Sequence, residues 1–290
     1  MSSSVAAICA GPARLWRLPA MRTIESEGWG AVWQRDMASY DPDSTLAAVD
    51  EERAGVRCEK ITAYLENHLG ELSGKRTIEI GCGGAIYSMI FGRLGARATM
   101  LDYSPDALTL AERNLGALNL DGKLLQADAF NLPLELHGRF DVAMSFGTVE
   151  HYRYPRRLAI CKSHVELLRP GGVAIISTPN ILFLPHEILK VLLTARGKWF
   201  LGYEGSFSRR ELHRVGRELG LLDIRIVGSS WRTDLRRYMR IVRETHTFRR
   251  WFPNFRYLSS ATEVPPQSHH WLDDHLGHDI VLLGTKPSVG

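Results

Sequence analysis

The stretch Ile78-Glu79-Ile80-Gly81-Cys82-Gly83-Gly84 decides the fold of this chain. Its first part is typical of a short buried strand, and its glycines permit a tight turn at which a ligand can approach the backbone closely. A helical pattern follows from Ala85 to Leu94, and a second strand pattern from Arg97 to Leu101 is closed by Asp102. The stretch therefore predicts a strand, a turn and a helix that lead into a second strand.

The alternation of strand and helix patterns continues along the chain. Helices are predicted across 46–70, after a Ser104 cap, across 155–168 and, after a Ser208 cap, across 209–219. Seven strands are predicted, at 77–80, 97–101, 123–126, 140–145, 173–178, 222–227 and 279–283. This order predicts an α/β domain with a mostly parallel sheet covered on both faces, whose ligands bind at the carboxyl ends of the strands.

The composition excludes several classes of protein. The chain has 290 residues, of which 44% are hydrophobic and 23% are charged. It is too apolar for a disordered chain and too long for a small disulfide-stabilised domain. No run of about 18 apolar residues exists, so no transmembrane helix is predicted. Four scattered cysteines without a Cys-x-x-Cys pair argue against a zinc site and favour a reducing compartment, the cytoplasm.

The formal net charge of +4 is unevenly distributed. Residues 1–22 contribute +3 and residues 231–257 contribute +6, which leaves −5 for the remainder. The body of the protein is thus mildly acidic and carries two basic attachments. Any interaction with nucleic acid would have to involve those attachments.

The turn after the first strand favours a cationic cofactor. A dinucleotide fold would place glycine or alanine at the sixth position of the motif, where this chain has Ile86, so diphosphate binding is disfavoured. Glu79 places negative charge beside the ligand. Asp102 follows Gly81 by 21 residues, a spacing that suits a carboxylate binding the hydroxyls of a ribose.

Four blocks in order resemble the class I S-adenosylmethionine-dependent methyltransferases. They are residues 78–84, 101–104, 126–130 and 140–151, the last followed by 168–172. The family usually has a third glycine where this chain has Ala85. The resemblance implies a Rossmann-like, doubly wound, seven-stranded sheet that is mostly parallel with an antiparallel last strand. It also implies S-adenosylmethionine as the cofactor.

The resemblance assigns cofactor-binding roles to ten residues. The aminoacid end would be held by Glu79, Gly81, Cys82 and Gly83, and the ribose by Asp102. The adenine would lie beside Tyr103, Asp128, Ala129 and Phe130, and the methyl group would point towards Phe146. For an isolated aspartate, a helix cap or turn would be the favoured interpretation; the register of the four blocks favours cofactor binding instead.

Methyl transfer needs a general base only where the acceptor must lose a proton. His151, with Glu150 beside it, is the candidate because imidazole titrates near neutral pH. The alternative is that this pair only orders the loop. Residues 147–151 also resemble the ubiquinone-pathway O-methyltransferases, some of which place a metal with a further glutamate where this chain has Gly147. Two ligands would remain, so no metal is predicted.

Segments outside the four blocks are expected to form a lid and two insertions. Residues 1–22 are predicted to be a disordered or targeting segment. The methyltransferase domain would span 23–290, with an N-terminal lid at 23–70 and insertions at 181–207 and 231–277. Candidate lid or substrate residues are Trp29, Trp33, Tyr40 and Asn180. Ordinary packing of the tryptophans at the sheet edge is an equal alternative.

The insertions bear on the acceptor. Residues 181–203 are apolar, which fits a substrate roof, a helix touching lipid or, as the favoured interpretation, a buried helix. The arginines of 231–257 fit a carboxylate or phosphate substrate, RNA, an anionic membrane or simply a solvated helix face.

The expected reaction is methylation of a small or medium-sized acceptor, anionic or apolar, with oxygen as the nucleophile. A nucleic-acid acceptor is disfavoured, because residues 145–148 lack the Asn/Asp-Pro-Pro-Tyr/Phe motif of amino-methylating enzymes. Peripheral membrane contact and an RNA- or lipid-associated enzyme remain open. Further alternatives are a non-catalytic cofactor-binding protein that docks through its arginines and a nicotinamide oxidoreductase.

Overall fold

A computed structural model describes residues 16–17, 26–199, 201–244 and 270–288. One central sheet contains the strands β1 Trp16–Arg17, β2 Arg76–Ile80, β3 Arg97–Asp102, β4 Gly122–Gln126, β5 Phe140–Phe146, β6 Leu168–Pro179, β7 Leu222–Gly228 and β8 Asp279–Thr285. The helices are α1 Ser26–Ala38, α2 Pro42–Arg53, α3 Val56–Leu69, α4 Ile86–Arg93, α5 Pro105–Ala117, α6 Arg156–Leu167, α7 Leu184–Ala195, α8 Arg209–Glu218, α9 Trp231–Glu244 and the short α10 Asp273–Leu276. Two 3₁₀ turns lie at Leu134–Leu136 and Val149–His151.

The strand order β1-β4-β3-β2-β5-β6-β8-β7 confirms the predicted doubly wound sheet. The seven predicted strands are all present, and the two-residue β1 adds a parallel partner to β4 at one edge. The last strand, β8, is antiparallel to both β6 and β7, as expected. The order along the sheet reverses between β2 and β5, where Glu79 is level with Met144. A ligand crevice is expected at this switch point.

Alternation along the strands divides the core into two layers. Ile78 and Ile80 of β2 belong to the cluster on one face, and Met100 of β3 belongs to the cluster on the other. Because side chains of a strand point to opposite faces in turn, Glu79 lies on the face opposite Ile78 and Ile80. The acid of the fold-deciding stretch is therefore fully enclosed, with 3% of its surface exposed.

Two local predictions need correction. The helix predicted across 46–70 is two helices, α2 and α3, because Gly55 takes an extended conformation and begins α3. Glycine has a low helix propensity, so a break there is physically reasonable. Residues 169–172, which separate the predicted helix 155–168 from the predicted strand 173–178, lie within β6, which pairs with β5 through a shift in register between Phe140 and Val142. The predicted caps are confirmed, since Ser104 and Ser208 accept hydrogen bonds from the first turns of α5 and α8.

No helix within the described ranges is both long and apolar enough to cross a membrane. The remainder of residues 1–22 lies outside the described residues, as do 245–269. The predicted targeting segment and much of the second insertion therefore have no structural description.

Candidate active site

The turn after β2 has space for backbone only. Gly81 and Gly83 have positive φ angles of 62° and 47°. A Cβ atom on Gly81 would lie 2.6 Å from Thr148 Cγ2, and one on Gly83 would lie 2.6 Å from Trp33 Cη2. Ala85 also has a positive φ, 58°, where the related enzymes have glycine. Thr148 and Trp33 therefore press against a turn that any side chain at Gly81 or Gly83 would disrupt.

A cavity of about 360 Å³ opens beside this turn. Five of the predicted residues line it together with both lid tryptophans: Glu79, Gly81, Cys82, Gly83, Phe146, Trp29 and Trp33. Its charged lining consists of Glu51, Glu52 and Glu79 against Arg57 and Arg237. With every group ionised, this lining is net negative, which fits a cationic ligand and disfavours a diphosphate.

Glu79 is held from one side by α4. Its carboxylate accepts hydrogen bonds from the Ser88 backbone N–H at 3.0 Å and the Ser88 hydroxyl at 2.6 Å. Burial raises the pKa of Glu79 to about 7, although the Ser88 bonds act in the opposite direction. A positive ligand in the cavity would favour the ionised form.

Asp102 joins the turn to the start of α5. Its carboxylate accepts from the Gly83 N–H at 3.2 Å and from the Ser104 N–H at 2.9 Å. Burial raises its pKa to about 6, against these backbone bonds. Each carboxylate oxygen can accept a second hydrogen bond, so the group can fix the turn and still bind the hydroxyls of a ribose.

The predicted adenine-side residues lie at the neighbouring strand ends. Tyr103 follows β3, and its carbonyl accepts from the Gln126 side chain at 3.2 Å. Asp128 accepts from the Phe130 N–H at 2.9 Å, and the Phe130 ring contacts Tyr152 edge-on. The Ala129 carbonyl accepts from a serine of α6. The carboxyl ends of β3 and β4 are thus tied together, outside the lining of the cavity described above.

Phe146, at the end of β5, has a partner that the sequence did not suggest. Its ring stacks on Tyr87 with centroids 3.5 Å apart and an angle of 5° between the planes. The Tyr87 hydroxyl donates to Glu52 at 2.6 Å, and Arg57 donates to the same carboxylate at 2.9 Å. The Arg57 guanidinium carbon also lies 5.8 Å from the Phe146 ring centroid. This wall of the cavity is therefore preorganised by charge and stacking.

His151 lies in the turn after β5 in a defined tautomer. Its Nδ1 is 2.9 Å from the Tyr203 carbonyl oxygen, which can only accept, so Nδ1 carries the hydrogen. Burial lowers the pKa of His151 below 6.5, against the Tyr203 bond and the charge of Glu204. The ring is therefore neutral near pH 7, with a lone pair on Nε2. Trp29 contacts the ring edge-on at 4.7 Å, which places His151 next to the lined cavity.

Glu150 is enclosed beneath the same turn, with 2% of its surface exposed. Burial raises the pKa of Glu150 well above its usual range, and the charges of Glu204 and Asp279 act in the same direction. Within the described part of the chain, Oε2 has no hydrogen-bond partner. Burial thus favours the protonated form of this carboxyl group, which immediately precedes His151 in the turn.

The N-terminal helix α1 covers the turn as a lid would. Trp29 and Trp33 stack with centroids 5.6 Å apart, and Gln34 donates to Asp106 of α5 at 3.1 Å. Tyr40 lies apart from the cavity, since its hydroxyl donates to the Arg113 carbonyl at 3.1 Å. Of the three aromatic lid candidates, the structure brings two to the cavity.

Asn180 lies outside the cavity lining and is completely buried. Its amide nitrogen donates to the carbonyls of His275 and Gly277, and its oxygen accepts from the Leu182 N–H. All of its polar atoms are thus used in joining the first insertion to the segment before β8. The structure places Asn180, a candidate lid or substrate residue from the sequence, where it holds the backbone of these two segments together.

Sequence reasoning missed Arg57, Glu52, Tyr87 and Arg237 as parts of the site. Arg57 donates to Asp279 at 2.6 Å, a partner 222 residues away. Arg237 forms an ion pair with Glu51 at 2.6 Å, in which both side chains remain exposed to solvent. No local spacing could have indicated these pairs, because each joins separate elements.

Comparison with known proteins agrees with this geometry. Residues 78–176 match the family described as "Methyltransferase domain", about a third of the chain. Ubiquinone biosynthesis O-methyltransferase from Nitrosococcus oceani is 35% identical over 118 residues, covering 40% of this chain and 48% of that protein. The protein of the same name from Pseudoalteromonas translucida is 31% identical over 117 residues, covering 40% and 49%. The chain thus spans about half the length of the curated relatives it matches.

Solved structures share the fold at low sequence identity. Phosphoethanolamine N-methyltransferase 2 of Haemonchus contortus, in complex with S-adenosyl-L-methionine, has a TM-score of 0.52 at 18% identity, over 79% of this chain and 53% of that chain. Magnesium protoporphyrin IX methyltransferase from Synechocystis, with bound SAH, has a TM-score of 0.52 at 14% identity, over 82% and 84%. Together with the family match, these findings confirm the predicted likeness to the class I S-adenosylmethionine-dependent methyltransferases.

The pKa of Glu79 predicts a pH-dependent stability. Because burial raises that pKa from 4.5 to about 7, ionising Glu79 as the pH rises through this range destabilises the folded protein. Glu79→Gln should therefore increase the free energy of unfolding above pH 7, by on the order of 1–3 kcal/mol, and have little effect at pH 4.5. Urea denaturation at the two pH values measures this, with the exposed Glu66→Gln as control. An equal change at both pH values would contradict the assignment.

Proposed function

We propose that this protein, whose residues 78–176 form a class I methyltransferase domain, transfers a methyl group from S-adenosylmethionine to a small or medium-sized acceptor with an oxygen nucleophile. The observation that carries the proposal is the cavity at the glycine turn, placed at the switch point between β2 and β5, in which three glutamates face two arginines and which is net negative when Glu79 is ionised. Its charge suits a sulfonium and an ammonium group on one ligand.

The residues around the cavity divide the binding of the cofactor among them. When bound, S-adenosylmethionine supplies an activated methyl group on its sulfonium sulfur. Its aminoacid end would be held by Glu79, Gly81, Cys82 and Gly83, and its ribose by Asp102. The adenine side is assigned to Tyr103, Asp128, Ala129 and Phe130, and the methyl side to Phe146. The chain's own contribution is alignment and exclusion of water, together worth about 7–11 kcal/mol in favourable cases.

His151 is proposed as the general base. Its Nδ1–H is fixed by the Tyr203 carbonyl, so Nε2 is the atom that accepts a proton from an acceptor hydroxyl as oxygen attacks the methyl carbon. The depressed pKa keeps the imidazole neutral and ready to accept this proton near pH 7. Glu150 is the buried acid that precedes the base in the turn, and we assign it the role of shaping the turn's electrostatics.

Oxygen is favoured because both relatives reported above are named O-methyltransferases. A nucleic-acid acceptor is disfavoured, because residues 145–148 lack the Asn/Asp-Pro-Pro-Tyr/Phe motif of amino-methylating enzymes. We propose a cytoplasmic location because the three cysteines of the described ranges, Cys58, Cys82 and Cys161, are buried free thiols.

The main rival to this function is a cofactor-binding protein without activity that docks through its arginines.

An apolar acceptor or a lipid surface is supported by the first insertion. Leu184, Ile188 and Val191 of α7 are 57–64% exposed, and Ile181 and Leu182 beside them are 45% and 51% exposed. The favoured sequence interpretation, a buried helix, therefore does not describe this face of α7. A helix with such a face can lie at a membrane interface or receive a hydrophobic acceptor.

Calorimetry with S-adenosylmethionine, its demethylated product and NAD tests the cofactor. We expect both sulfur compounds to bind, and Asp102→Ala to weaken binding about 100-fold through lost hydrogen bonds to the ribose. Asp121→Ala, an exposed acid that precedes β4, is the matched control. Tight NAD binding without binding of either sulfur compound would overturn the proposal, and near-normal affinity of Asp102→Ala would show that the assigned register is wrong.

The role of His151 is tested by turnover. With a panel of phenolic, alcoholic and carboxylic acceptors, formation of the demethylated cofactor should fall about 10²–10⁴-fold in His151→Ala, while cofactor affinity is retained. His213→Ala, on the exposed face of α8, should behave as the wild type. Unchanged turnover in His151→Ala would leave this residue a structural one. Cofactor binding by the wild type without turnover of any acceptor would favour the non-catalytic rival.

The exposed face of α7 is tested by co-sedimentation with vesicles of phosphatidylcholine containing an anionic lipid. Replacing Leu184, Ile188 and Val191 together by glutamine removes the apolar area and should abolish binding. Leu134→Gln, at a side chain that is 80% exposed elsewhere, is the control and should bind as the wild type does. Wild-type protein that stays in the supernatant would exclude the membrane part of the proposal.

A further inference from the structure

A short segment of the first insertion is attached to the turn that contains His151. The Tyr203 carbonyl accepts from His151 Nδ1 at 2.9 Å, and the Gly205 N–H donates to the Glu150 carbonyl at 3.0 Å. Residues 203 and 205 thus bond two consecutive residues of the turn. The residue between them, Glu204, is fixed beside the candidate base by its own backbone.

Arg157 of α6 reinforces this attachment. Its guanidinium donates to the Gly205 carbonyl at 2.7 Å, to the Tyr152 carbonyl at 2.9 Å and to the Glu150 carbonyl at 3.4 Å. The residue is 5% exposed, so these charge-assisted bonds form away from water and are correspondingly strong. The turn and the segment therefore move as one unit.

The Glu204 side chain is 4% exposed and is held by a chain of hydrogen bonds. Its Oε1 lies 2.5 Å from His186 Nε2, and His186 Nδ1 lies 2.5 Å from the Tyr238 hydroxyl. The Tyr238 hydroxyl oxygen also lies 3.0 Å from His278 Nε2, and His278 Nδ1 is 3.2 Å from the Asp279 carboxylate. Both insertions and the start of β8 thus contribute to fixing one carboxylate.

Glu204 remains ionised despite its burial. Desolvation raises its pKa, but the bond from His186 and the charges of His186 and Lys190 outweigh this effect, so the pKa lies below its usual value. Lys190 Nζ is 3.7 Å from Glu204 Oε1. A buried carboxylate with this much support is a permanent negative charge near the His151 ring.

The other charged groups around His151 are few within the described ranges. Burial raises the pKa of Glu150, in the same turn, well above its usual value and so favours its uncharged form. Arg157 directs its charge to carbonyl groups and to Glu211 at 3.1 Å. Arg153 lies over the Tyr203 ring at 3.8 Å. The helix α1 contributes the neutral ring of Trp29.

We propose that Glu204 is a positioning residue for His151, a fixed carboxylate that stabilises the imidazolium formed when His151 accepts a proton. The inference rests on the proposed function for the source of that proton, an acceptor hydroxyl. The acceptor O–H bond breaks and its proton forms the Nε2–H bond of His151. An electron pair of the oxygen forms the new bond to the methyl carbon, and the bond from that carbon to the sulfonium sulfur of the bound cofactor would break, leaving its electron pair on sulfur. Nδ1 keeps its hydrogen, which remains hydrogen-bonded to the Tyr203 carbonyl throughout. The new positive charge on the ring is stabilised by the negative charge of Glu204.

The test is an NMR titration of the full chain with ¹³C-labelled histidine, in which His151→Gln identifies the resonance among 11 histidines. Glu204→Gln keeps an acceptor for His186 but removes the charge, and should lower the titration midpoint of His151 by about one pH unit. Glu204→Asp keeps the charge and should retain most of the wild-type midpoint. Glu187→Gln is the matched control, because Glu187 bonds Lys190 and Ser206 in the same cluster and, within the described residues, forms no hydrogen bond with His151 or Glu204.

A second variant guards against loss of folding in Glu204→Gln. Tyr238→Phe leaves the charge in place but removes the hydroxyl that bonds His186, and should lower the His151 midpoint by a smaller amount. An unmoved midpoint in every folded variant would overturn the inference, as would an equal shift in Glu204→Asp and Glu204→Gln. The titration needs no methyl acceptor. A shifted midpoint in a protein without transfer activity would refute the proposed function, while the stabilisation of the His151 imidazolium by Glu204 would still be shown.

Discussion

The rest of the site depends on two backbone positions that have no side chain, Gly81 and Gly83. The space that a Cβ atom would occupy is taken by Thr148 from the β5 turn and by Trp33 from helix α1. Three separate parts of the chain therefore meet at one turn, within van der Waals contact. Asp102 fixes the same turn through the Gly83 N–H, so the cavity, helix α1 and the end of β3 are positioned by a single local constraint.

The electrostatics of the site follow from burying acids in an α/β crevice. Glu79 and Asp102 are 3% and 4% exposed, and burial raises the pKa of each. A positive ligand in the cavity would lower both pKa values again, because a nearby cation favours the ionised forms of these carboxyl groups. Arg57 forms ion pairs with both Glu52 and Asp279 at the opposite wall. Its positive charge is therefore balanced and does not make the net charge of the cavity positive.

The two insertions do more than enlarge a common fold. The first provides the carbonyl of Tyr203 that selects the tautomer of His151, and the second provides Tyr238, which bonds His186 of the first. Asn180 joins the first insertion to the backbone before β8. Parts of the chain without recognisable motifs thus determine how the candidate base is held, while the motif residues determine where the cofactor would lie.

The sequence by itself determined the seven strands and the glycine turn. It also determined Glu79, which precedes that turn, and Asp102, which ends β3. These features depend on side-chain periodicity and backbone sterics within a few residues. It did not predict the break at Gly55, where helix propensity prevailed over an apolar stripe that continues through the position. Only the tertiary structure decided the places of Tyr40, Asn180, Arg57 and Glu204. Their partners lie in other elements, up to 222 residues away, and no local spacing specifies which buried charges will pair once the sheet has assembled.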